Sequence, residues 1–140
     1  MHRFSEEWAI VATIDPTGDA TGTSTTDTID MKEVHEVVFI IMTETVAATG
    51  TVDFTVNSGD ATATITTSVT AITQLTASDD DKQVVVGVRA DSLTSGHRYV
   101  AGVLEQGTAN SEVAVVALAK RRYNPANEHD LATVAEIING

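Results

Sequence analysis

The feature that most constrains this chain is its load of β-branched residues. Roughly one residue in six is Thr and Val is nearly as frequent, and branching at Cβ favours a pleated, half-buried strand over a helix. The branched residues also fall in period two, which is the pattern of a strand with one face inward. Thr51 to Asn57 alternates cleanly, with Val52, Phe54 and Val56 on one face and Thr51, Asp53 and Thr55 on the other. Trp8 to Ile14 places Trp8, Ile10, Ala12 and Ile14 together, and Gln83 to Ala90 does the same with Val84, Val86 and Val88.

Val34 to Thr43 is the strongest core signal. Its run Val37-Val38-Phe39-Ile40-Ile41-Met42 is apolar at every position, as expected of a central strand covered on both faces. Further strands are expected at Thr28–Met31, within Ala61–Ala77, at His97–Glu105 and at Glu112–Ala119. Turn chemistry separates them: Asp15-Pro16-Thr17-Gly18-Asp19, Ala47-Ala48-Thr49-Gly50, Asn57-Ser58-Gly59-Asp60, Ser78-Asp79-Asp80-Asp81, Asp91 to Gly96 and Gln106 to Asn110. Ala20 to Thr26 reads as a long loop or a ragged edge strand. The expectation is an all-β, antiparallel, jelly-roll-like β-sandwich of about eight strands spanning residues 1–125. Beyond Pro125 the pattern changes. Leu131, Val134, Ile137 and Ile138 share one helical face behind Glu128 and Asp130, which predicts a short amphipathic helical tail over residues 126–140. That tail either packs on its own sandwich or docks on a neighbouring subunit.

With 140 residues the chain can bury a core without cross-links, and it has no Cys with which to make them. Its formal charge is −12, from 20 acidic against 8 basic side chains. Such a surface repels phosphate backbones, so nucleic acid is not an expected partner. No apolar run reaches the roughly 18 residues of a spanning helix, and no membrane partner is expected. The charged opening Met1-His2-Arg3-Phe4-Ser5-Glu6-Glu7-Trp8 argues against Sec-type export and for synthesis in the cytoplasm.

Motifs for chemistry are sparse. The histidines, at 2, 35, 97 and 129, follow no metal-ligand spacing, and neither a nucleophile elbow nor a phosphate loop is present. Ser95-Gly96-His97 sets a hydroxyl near an imidazole, as a tight turn before a strand also would. Asp79-Asp80-Asp81 is either a solvated turn or an oxygen-ligand site for Ca²⁺, and it lacks the spacing of an EF-hand loop. The reading is a protein without catalytic residues, cofactor or metal. Lys120-Arg121-Arg122 stands out against the acidic background, holding three of the eight basic residues. It either blunts a strand edge or contacts an acidic partner surface and fixes docking register. Candidate partner-binding residues are therefore Lys120, Arg121 and Arg122, with Phe4 and Trp8 at one terminus and Leu131, Val134, Ile137 and Ile138 at the other.

The order of an opening strand, Val37-Val38-Phe39-Ile40-Ile41, Gly50-Thr51-Val52-Asp53-Phe54-Thr55-Val56, the Leu75 to Gln83 link, and the pair His97-Arg98-Tyr99-Val100 and Val113 to Leu118 resembles auxiliary head proteins of tailed bacteriophages. These decorate or cement the capsid. Arg121-Arg122-Tyr123-Asn124-Pro125 is similar to their basic-aromatic-Pro ending. The similarity covers roughly residues 8 to 125. It implies a β-sandwich on the outside of the shell, bound to the major capsid protein as a homo-oligomer, with a homotrimer as the expected state. Two other readings remain at this point: a neck, tail-completion or tail-tube component of a virion, and a carbohydrate-binding or adhesin-like module. The shortage of aromatic side chains weighs against the last.

Overall fold

A computed structural model describes residues 4–122, 129–130 and 132–138. A four-residue helix, α1 (Phe4–Glu7), leads into β1 (Trp8–Thr25). Then come β2 (Ile29–Asp30), β3 (Val34–Val46), β4 (Thr51–Gly59), β5 (Thr67–Ala71), β6 (Gln83–Arg89) and β7 (Tyr99–Arg121). All pairings are antiparallel, in one sheet of order β5-β4-β7-β3-β6, with β1 and β2 on the free side of β7.

The 23-residue β7 is the spine. Its second half pairs with β3 and its first half with β4, while β1 and β2 run along its other edge. Phe39 lies opposite Ala117 and Phe54 opposite Leu104, partners that would be about 43 Å apart on a straight strand. Yet the two phenylalanine rings are 5.5 Å apart, tilted against each other. The sheet therefore bends back on itself between these points and nearly closes into a barrel, with its two arms enclosing the core. Counting the two arms of β7 separately gives eight strands.

The bend has identifiable causes. Thr108 in β7 has φ 66, a left-handed conformation that turns a strand sharply. Beside it β3 and β4 are separated by a tight turn closed by Gly50 N–H donating to Ala47 O at 2.7 Å. On the other flank β1 slips register repeatedly between Ile14 and Gly22, and Gly22 has φ 125. The inner face of both arms is apolar: Val37, Phe39, Ile41, Val52, Val56, Val100, Leu104 and Val115 are fully buried. At Gly102 an added Cβ would lie 2.4 Å from the Phe54 ring, so the arms close this tightly only over glycine.

Several expectations need correction. Asp15 to Asp19 does not end the first strand but is absorbed as bulges within it. Pro16 is tolerated there because β1 pairs on one side only. Gln106 to Asn110 likewise bends one strand instead of separating two. The Asn57 to Asp60 turn starts later, because β4 continues through Gly59. β3 is not covered on both faces: Val37, Phe39 and Ile41 are buried, but Val38, Ile40 and Met42 are only half-buried. The tail is not helical over residues 132–138. One turn forms, in which Asp130 O accepts from Thr133 N and Val134 N at 3.0 and 2.9 Å. A single turn carries the nucleation cost without propagation, and Thr133, Val134, Ile137 and Ile138 are poor propagators.

Candidate binding surfaces

The terminal anchors converge. Trp8 pairs with Lys120 across β1 and β7, and the Lys120 ammonium sits 5.9 Å from the Trp8 ring centroid, within cation–π range. Phe4, 64% exposed, stacks on Trp8 at 6.0 Å. The tail returns to the same strand. Ile10 N donates to His129 Nδ1 at 3.0 Å, and Asp130 N donates to Ile10 O at 2.8 Å. One backbone bond and one bond to an imidazole hold the tail on β1 two residues beyond Trp8. Val134 is half-buried and Ile138 is 79% exposed, with Ile137 exposed as well. Leu131 lies outside the described residues.

The basic triplet divides between two sides, as strand alternation dictates. Lys120 and Arg122 line a hollow of about 480 Å³ with His35, Glu36, Arg89 and Asp91. Arg121 turns into another, of about 450 Å³, with Asp30, Glu33, Arg98 and Asp130. In that second hollow Arg98 is bidentate to Asp30, through Nε at 2.7 Å and through Nη2. The guanidinium beside it holds the Asp30 carboxyl below the usual carboxylate range, and the Asp30 carboxylate in turn raises Arg98.

Residue pattern also shows what β3 does with its second apolar face. On the outer surface of the arm built from β1, β7, β3 and β6, one row reads Thr13, Val116, Ile40, Val85 and the next Ile10, Leu118, Val38, Gly87. Met42 and Ala114 add a third. Antiparallel sheets that face water normally alternate to polar residues outside. Here the outside is apolar, and Val85 is 66% exposed. Sequence reasoning missed this surface by assigning the β3 run to burial on both sides.

Asp79 and Asp80 are used as a staple. Asp79 accepts from Thr76 N at 3.0 Å and Lys82 Nζ at 3.1 Å, which lower its pKa. Asp80 accepts from Val46 N at 2.7 Å. The Asp79 side chain braces the link internally, while the Asp80 bond and Thr43 Oγ1 donating to Asp79 O at 2.6 Å fasten it onto β3. Among the described residues no three His, Asp or Glu side chains come together as a metal site. His97 meets a hydroxyl, but that of Ser58, at 2.8 Å from Nδ1. Ser58 is fully buried, so the pair ties the loop before β7 to β4 and offers no nucleophile to a substrate.

No family model matches the chain, and no curated protein matches it in sequence.

Proposed function

We propose that this chain is a structural protein of a phage virion, a decoration or cement protein that binds the outside of the capsid. Three separate sequence candidates, the N-terminal aromatics, Lys120 and the tail, meet at the start of β1, and that convergence carries the reading. A rigid aromatic pair beside a cation and an apolar tail has the composition of an interface hot spot. Its partner in this reading is the major capsid protein. Binding the assembled shell but not free subunits stabilises the shell by mass action. The jelly-roll-like sandwich of the auxiliary head proteins belongs to this proposal, and the two facing arms of the bent sheet are compatible with it. So is an acidic exterior, since a protein outside the shell need not tolerate packaged DNA.

The test is occupancy on shells stripped of this protein, measured by adding back purified chain. Deleting Glu128 to Gly140, or replacing Phe4 or Trp8 by Ala, is expected to weaken binding by roughly tenfold or more. Unchanged occupancy for all three variants contradicts this assignment of the contact.

A further inference from the structure

The apolar outer face runs between two hollows of opposite character. On β7 the outward residues read Glu112, Ala114, Val116, Leu118, Lys120, and Arg122 follows beyond the strand. At one end the hollow holding Lys120, Arg122 and Arg89 sets three cations against Glu36 and Asp91. At the other end a hollow of about 510 Å³ is lined by Pro16, Met42, Glu44, Glu112 and Ala114, with two acidic side chains and, among the described residues, no basic one. In a chain of net charge −12 a cationic end is the exception, and it is aligned with an anionic end along the same strand.

We infer that this face binds a second copy of the chain, with the two sheets face to face and their β7 strands antiparallel. A two-fold axis lying in the interface, perpendicular to β7, turns the face over and reverses it in one operation. The apolar rows of one copy then cover those of the other, and each cationic hollow meets the partner's anionic one. Such self-complementarity is what an isologous dimer requires. A parallel arrangement would set like charges against like, which costs free energy. From Glu112 to Lys120 at about 3.3 Å per residue, and across four strands at about 4.8 Å, the face projects to roughly 500 Å². With side-chain relief added that approaches the roughly 800 Å² per partner of a standard interface. Left bare, it would rank among the larger apolar patches seen on monomers. Phe4 and the tail lie along the β1 edge, at the rim of this face, so the proposed shell contact adjoins the dimer face and shares Lys120 with it.

Sedimentation velocity on the full chain tests the inference through a pair of charge reversals. Wild type is expected to sediment as a dimer. Val85→Glu, at an exposed position, is expected to dissociate it at least tenfold more readily while leaving the far-UV circular dichroism unchanged. Glu112→Lys alone sets lysine against lysine, and Lys120→Glu alone sets glutamate against glutamate, so each variant is expected to be monomeric. Mixed together they are expected to form a heterodimer, since both contacts are then complementary. A wild-type monomer or trimer overturns the inference, as does a Glu112→Lys and Lys120→Glu mixture that fails to associate. Val85→Glu losing shell binding while wild type is monomeric also overturns it, and assigns the face to the capsid.

Discussion

Asp30 shows how much a single side chain does in this fold. It closes the two-residue β2, caps the 3-10 turn over Met31–Glu33 by accepting from Lys32 N at 3.0 Å, and takes the bidentate bond of Arg98, the residue before β7. Its folded pKa is lowered, with the Arg98 hydrogen bond as the largest cause. The stabilisation is thus present above the unfolded value near 3.8 and lost as pH falls through the folded value. Asp30→Asn is expected to destabilise the protein at neutral pH, by a modest amount because the pair is solvent-exposed. The gap to wild type should close on acidification below about pH 4, as read from urea midpoints across that range. A gap independent of pH would show that capping alone matters. Gly102 and Thr108 carry the closure and the bend. Gly102→Ala places a methyl in the Phe54 ring and is expected to cost about 1–3 kcal/mol. Thr108→Gly removes a left-handed β-branched residue and is expected to raise stability by up to about 1 kcal/mol. Both are read from denaturant unfolding. Neither role is legible in the sequence, because a glycine facing a ring and a threonine with positive φ look like ordinary strand and turn residues until the arms are brought together.

At the level of elements, period two was sufficient to find the strands but not where they end. Alternation over Thr51 to Asn57 and Gln83 to Arg89 marks β4 and β6, and the inward set Val84, Val86 and Val88 is the one packed toward the core. Pro16 and Gly18 carry turn chemistry, and so do Gly107 and Asn110, yet the chain uses both groups inside long strands. Local residue preference cannot tell a reversal from a bulge, since both need positive φ or a missing donor, and the partner strand decides. The all-apolar β3 run was legible as a strand and misleading about its surroundings: the period-two rule reports which faces avoid water, not which element covers them. The tail is the reverse case, where helical spacing was present but the length and the β-branched residues permit one turn. One of its two bonds at Ile10, the one that Ile10 N donates, is accepted by His129 Nδ1, so His129→Ala is expected to loosen the tail and speed amide exchange at Ile10 by tenfold or more. Unchanged exchange there would show that Asp130 suffices.

On the scale of the whole molecule, charge and fold separate two tasks. A sheet bent until it nearly closes buries one set of apolar residues and leaves another outside, bounded by ends of opposite sign. Phe4 and the His129–Asp130 step both lie against the start of β1, on a single edge of the same arm. The candidate aromatics and the basic triplet were visible in the sequence as residue types, but the meeting of Lys120 with Trp8 was not, because it depends on a register linking positions far apart in the chain. The outer face was invisible for the same reason, being assembled from four strands that are distant in sequence. If the chain decorates a capsid, its abundance must follow that of the shell. The number of copies per purified virus particle, counted by quantitative mass spectrometry against the major capsid protein, tests this most directly. Decoration predicts a number comparable to that of the capsid subunits. A count matching a single ring, or none at all, would contradict it.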